Sequence, residues 1–109
     1  MLVPLLNSEN KERALIFLFA RQEGYATEIA RFFDTDLYGI QNQLDRLEAG
    51  GIVVSKRIGR TRVYTLNPRY AFIDELKNLL ERALSFYPQE LRDELLMNRR
   101  RPIMRAKPR

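Results

Sequence analysis

The stretch LDRLEAGGIVVSKRIGRTRVYTLNP, residues 44–68, decides the architecture. Leu44 and Leu47 end an amphipathic run that Gly50-Gly51 close, since glycine readily takes the left-handed conformation that caps a helix. Ile52–Ile58 and Arg62–Leu66 then read as two strands, and Gly59-Arg60-Thr61 joins them as a tight hairpin. Asn67-Pro68 stops the second strand and is expected to open a helix, with Asn67 as its cap and Pro68 in its first turn.

Upstream, the run ending at Ala49 begins near Leu37, with Leu37, Ile40, Leu44 and Leu47 inward and Asp36 as N-cap. Asp34-Thr35-Asp36 separates it from a helix over Ala26–Phe33, whose Ala26, Ile29, Ala30 and Phe33 recur at helical spacing. A first helix opens at Asn7-Ser8, with Glu9 and Glu12 in its first turn favouring the macrodipole, and closes at Gly24. Leu15, Ile16, Leu18 and Phe19 share its inner arc. Phe17 falls on the opposite side near Arg13 and Arg21, which leaves it exposed or set against a second subunit or the N-terminal arm.

Downstream, a fourth helix over Arg69–Tyr87 carries Phe72, Ile73, Leu76, Leu79, Leu80, Ala83 and Leu84 as one apolar stripe. Pro88 interrupts it, and Gln89–Met97 forms a shorter amphipathic segment with Leu91 and Leu95 on one face. The expected organisation is an N-terminal arm (1–7), a helical domain with its hairpin (8–68), C-terminal helices (69–98) and a basic tail (99–109) whose Arg/Pro-rich composition predicts disorder.

At 109 residues and 45% hydrophobic composition, the chain is sized for one domain with a real core. It has no Cys and no His, so thiolate metal sites, disulfides and the commonest general base are excluded. No cofactor or metal is expected and no enzyme, because no nucleophile–base pair stands at a recognisable spacing; turn and cap duties account for Asp34 and Asp36. No apolar run approaches the ~20 residues of a membrane helix, and Met1–Leu6 is too short and lacks the basic flank of a secretory signal. A cytoplasmic, nucleoid-associated domain is expected.

Charge is concentrated. Lys56, Arg57, Arg60 and Arg62 in the hairpin, and Arg99, Arg100, Arg101, Arg105, Lys107 and Arg109 in the tail, are ten of the nineteen basic residues, and neither segment holds an acid. The rest of the chain carries nine basic residues against fourteen acidic ones. An acidic body with two dense cationic segments points to a polyanionic partner.

Three helices with a tight turn between the second and third, then a basic hairpin, make a winged helix-turn-helix: mainly α with a small β-hairpin. The third helix is expected in the major groove of double-stranded DNA, with the hairpin reaching sideways to phosphates or the minor groove. Tyr38, Gly39, Gln41, Asn42, Gln43 and Arg46 are the candidate reading positions, and Lys56, Arg57, Arg60 and Arg62 the candidate hairpin contacts, with Arg60 at the tip. Gln and Asn amides suit adenine edges or phosphate, and Tyr38 suits a thymine methyl or a phosphate. Gly39 either lets the backbone approach the duplex or packs against the second helix. Asp45 repels phosphate, and Arg46 compensates.

Thr27-Glu28-Ile29-Ala30, the run Leu44–Val53 and the run Arg57–Tyr64 resemble the ArsR-like winged-helix transcriptional regulators over about residues 8–86. The resemblance implies a prokaryotic, dimeric DNA-binding repressor that reads DNA through the helix at Asp36–Ala49, uses the hairpin as its wing and pairs through terminal helices. It also implies modest affinity from the third helix, where relatives carry basic residues in place of Asn42; many have Gly in place of Asp34. The metal sensors of that family use Cys or His, absent here. The junction Asn67-Pro68-Arg69-Tyr70 is also similar to winged helices encoded beside small nucleotidyltransferases.

The long fourth helix, with Leu5 and Leu6 adding apolar surface, predicts a two-fold homodimer through Phe17, Phe72, Leu76, Leu79, Leu80 and Ala83. Two other readings stand beside DNA-binding: a module docking a protein partner, such as a nucleotidyltransferase, through the hairpin or third helix, and an RNA-associated basic protein.

Overall fold

Helix α2 (Glu9–Arg21) is buried nearly all round from Ala14 to Arg21, and that property organises the molecule. The computed structural model describes residues 1–97, and the basic tail lies outside the described residues. Within them the order is α1 (Val3–Leu6), α2, α3 (Ala26–Phe32), α4 (Leu37–Ala49), β1 (Val53–Ile58), β2 (Thr61–Leu66), α5 (Ile73–Leu84) and α6 (Gln89–Met97). Helix α2 runs through the centre and touches α1, α3, α4, α5, α6 and β2, while α4 also packs on α3 and β1. Ser8 caps α2 by accepting the amide of Lys11, and Asp36 caps α4 by accepting that of Gly39 at 3.2 Å.

The strands pair antiparallel with Ile58 opposite Thr61, so the turn is Gly59-Arg60, and Gly59 takes the positive φ of 64° that its first central position favours. At its root the hairpin is tied to the loop after α2: the amides and carbonyls of Gly24 and Tyr64 bond reciprocally at 3.1 and 2.8 Å.

Several local expectations are revised. Residues 3–6 form a short helix, because Pro4 sits where a first turn needs no amide donor and Asn7 stops it at φ 62°. Helix α5 starts at Ile73 rather than at Arg69, with Phe72 as its N-cap. Asn67 does not cap it: its side chain bridges Gly51 O and the Arg69 amide, which holds residues 67–70 in a turn. The same helix ends at Leu84, before Tyr87, in keeping with the extended bias that Pro88 imposes on its predecessor. Leu37, placed inward by the pattern, is 46% exposed.

The largest revision is Phe17. It is fully buried, edge-to-face with Phe32 at 5.7 Å, and carries the Arg21 guanidinium over its ring at 4.8 Å. It cannot face a second subunit. Leu80 and Ala83 are likewise buried within the chain and drop out of the expected interface. The cause is the same for all three: α3, α5 and α6 cover sides of α2 that a one-sided helix would leave open.

Glu12, in the first turn of α2 as expected, is also buried and belongs to this system. It accepts the Leu2 amide at 2.7 Å and the Tyr87 hydroxyl at 2.6 Å, tying α1 and the α5–α6 connection to α2. Burial pushes its carboxyl up, but the donors from Tyr87 and Leu2 outweigh that and hold it below the usual value. Burial and the Glu12 carboxylate in turn push the Tyr87 phenol up. Because the Glu12 pKa is lower in the folded state, the stability it confers is present above about pH 4.5 and is lost as pH falls through the folded value. Tyr87→Phe is therefore expected to cost about 1.5–3 kcal/mol at neutral pH. The deficit should shrink as pH falls through the folded-state value of Glu12, which lies below the usual one. Urea unfolding of both proteins across pH 3–7 measures it; a constant difference over that range would contradict the assignment.

Candidate nucleic-acid interface

Alternation along the hairpin sorts its cations. Val53, Ser55 and Arg57 on β1 share a face with Leu66, Tyr64 and Arg62 on β2, since each pair is in register. That face is core at its root, where Val53 and Tyr64 are buried, and cationic toward its tip. Arg57 stands directly opposite Arg62, a like-charge pair that opposes pairing in the free protein and that an anion relieves. Arg60 occupies the turn and is exposed. Lys56 falls on the other face with Val54 and Ile58, apart from the arginines.

The Arg62 guanidinium is aimed by a relay: it donates to Ser55 Oγ at 3.0 Å, and Ser55 donates to Glu48 of α4 at 2.6 Å. A second link joins hairpin and helix. Gln41 Nε2 donates to the Tyr64 hydroxyl at 3.1 Å and to Asp45 at 3.0 Å. The Tyr64 phenol is held above its ordinary value by burial, partly offset by the Gln41 donor. So α4 and the hairpin are clamped at two points.

Between α3, α4 and the hairpin lies a cleft of about 380 Å³, lined by Tyr25, Thr27 and Arg31 of the α3 segment, Gln41, and Arg60, Arg62 and Tyr64. Among the described residues, none that lines it is acidic. Tyr25, Thr27 and Arg31 are additions to the expected set; the signal that could have found them is that Thr27 and Arg31 are four apart on the polar face of the second helix.

On α4 the six expected reading positions separate. Tyr38 is 77% exposed and stands beside the exposed Leu37, while Asn42 lies one turn further along the same face, half-buried. Gln41 is turned toward the hairpin by its bonds. Gly39 is half-buried and faces the first long helix rather than the second: a Cβ there would lie 2.6 Å from Asn10 Nδ2 of α2, the movable end of a side chain. Gln43 Oε1 is buried with no hydrogen-bond partner among the described residues, so that atom is not presented to solvent. Arg46 is exposed but borders a different feature, a groove of about 430 Å³ between α1 and α5 whose wall includes Leu5, Ile52, Tyr70, Phe72, Leu76 and Leu79. Phe72 there is 61% exposed.

Among solved structures, the chain is similar to a double mutant of Lactococcus lactis ZitR in apo form, with a TM-score of 0.55 and 22% identity over 83% of this chain and 70% of that one. The fold is a winged helix-turn-helix. The hairpin is its wing, α3 and α4 its helix-turn-helix. No family model matches the sequence, and no curated protein matches it. No helix among the described residues is long and apolar enough to cross a membrane.

Proposed function

We propose that the protein is a sequence-specific double-stranded DNA-binding regulator that represses by occupancy and acts as a homodimer. The observation that carries this reading is the side-by-side placement of the solvent face of α4 and the cationic cleft, held together by the Gln41–Tyr64 bond. A duplex needs this pairing: an exposed helix face that enters the major groove, flanked by cations for the adjacent phosphates. Leu37 and Tyr38 offer apolar contact to thymine methyl groups, and Asn42 offers the donor–acceptor pair that fits an adenine edge. Gln41 acts as a positioning residue, fixing the angle between α4 and wing. Arg31, Arg60 and Arg62 serve as phosphate ligands, with Arg57 next to them.

Pairing would use the groove between α1 and α5, where Phe72, Leu76 and Leu79 of the expected interface remain accessible. Arg46 at its rim places the end of α4 close to this face, so two-fold pairing there sets the distance between the two reading helices.

Selection of bound duplexes from a random library tests both parts. The expected product is a near-palindromic motif with half-site centres about 34 Å, one turn of DNA, apart. A single unrepeated half-site would refute the dimer, and the absence of any enriched sequence would refute specific DNA recognition.

A further inference from the structure

We propose that the groove between α1 and α5 is an effector site for a small apolar carboxylate, with one anionic head and a hydrocarbon body of about eight carbons. The proposal rests on the reading that this face pairs two copies, and adds to it the molecule that separates them. Shape comes first. The groove holds about 430 Å³, within the ~300–1,000 Å³ of small-molecule sites. Its floor is core, where Leu15 and Leu47 are buried. Ile52, Leu76 and Leu79 are half-buried along its walls. Tyr70 and Phe72, edge-to-face at 5.8 Å, border it where the chain enters α5. A surface of this kind rewards hydrocarbon, at about fourfold in affinity for each methylene it takes out of water.

Charge decides the head group. Lys11 of α2, Arg46 of α4 and Glu75 of α5 are the ionised side chains in the described lining, which is therefore net cationic. Neither cation makes an ion pair among the described residues, with Glu75 or with any other acid. The sequence shows why. Asn7, Ser8, Ala14 and Leu15 stand three and four residues from Lys11, and Asn42, Gln43, Ala49 and Gly50 stand so from Arg46. No acid occupies the spacings at which helix neighbours meet. A carboxylate head finds two unpaired cations at an apolar groove. An alcohol leaves both as they are, and an ammonium adds a third positive charge. A bound body also covers Phe72, Leu76 and Leu79, the side chains through which pairing is proposed. Occupation by the anion thus favours the separated chain, and the two reading helices lose their fixed spacing.

The test is calorimetric titration of the full chain with sodium butanoate, hexanoate and octanoate, with octanol and octylamine as head-group controls. Affinity is expected to rise about fourfold per methylene. Octanoate should bind about tenfold more tightly than octanol, and octylamine more weakly still. Lys11→Gln with Arg46→Gln should remove the preference for the carboxylate and keep the dependence on chain length. Neither side chain is buried, and thermal unfolding of the double variant checks that it folds. Sedimentation then reads pairing, which saturating octanoate should shift toward the single chain. No heat with octanoate, equal binding of octanol and octylamine, an unchanged preference in the double variant, or a dimer left intact by bound octanoate would each overturn the proposal. A failure of the pairing reading looks different: a chain that is single at every concentration and still binds octanoate through both cations upholds the site.

Discussion

Replacing Phe17 by alanine is expected to cost about 3–5 kcal/mol, a large part of the 5–15 kcal/mol that a domain usually has. The ring has no exposed surface, it packs edge-to-face on Phe32, and it carries the Arg21 guanidinium. Its loss opens a cavity beside a buried cation that also holds the end of α6. The partner of this ring in sequence terms is Gly24. A Cβ at position 24 would sit 2.6 Å from Phe17 Cε1, while the Gly24 backbone has no positive φ and accepts any residue. Gly24→Ala alone should therefore cost about 1–3 kcal/mol through overpacking, and should cost almost nothing on the Phe17→Ala background. Urea unfolding of the two single variants and the double variant closes the cycle. Additive losses would show that Phe17 and Gly24 are not packed against each other. The effect extends beyond the core, because Gly24 is also the residue that pins the wing root through Tyr64.

Phe17 also shows where the sequence is and is not readable. The elements of the helix-turn-helix and wing are local: Asp36 caps α4 through a bond three residues away, and the hairpin register follows from a two-residue turn. Those features are encoded within short windows, and helix α4 and the Arg60 turn are where the pattern puts them. The fate of Phe17, Leu80 and Ala83 depends on which elements cover the far side of α2. That is decided by contacts such as Arg21 to Leu95 and Tyr87 to Glu12, which span more than seventy residues. No periodicity over one helix contains that information. The candidate interface divides the same way. Tyr38 stands on the solvent face by helical geometry alone, whereas the turning of Gln41 toward Tyr64, the facing of Gly39 toward α2 and the addition of Arg31 to the cleft need the third dimension.

Exchange of Arg31, Arg60 and Arg62 together for glutamine carries the largest expected effect on binding. Three phosphate ligands at about 0.9 each should reduce the salt slope by about 3, which corresponds to roughly a 10²–10³-fold loss of affinity near 0.1 M salt. The loss should be nearly uniform across duplex sequences, because phosphate contacts position a protein without reading bases. Arg60 and Arg62 come from the wing and Arg31 from α3, so the three meet only in the folded cleft. Arg31 is the informative member: it lies outside both basic segments of the sequence. If the cleft is the phosphate seat, Arg31→Gln alone should flatten the slope by about 1, as much as Arg60→Gln does. All three residues are exposed, and thermal unfolding should place the variants within ~0.5 kcal/mol of the parent, separating a binding defect from a folding one. A normal slope in the Arg31 variant, with a reduced one in the wing variants, would move the anion contact out to the hairpin tip. The cleft would then be a by-product of how α3 and the wing pack, and the shared bond between Gln41 and Tyr64 would serve only to hold the hairpin in place.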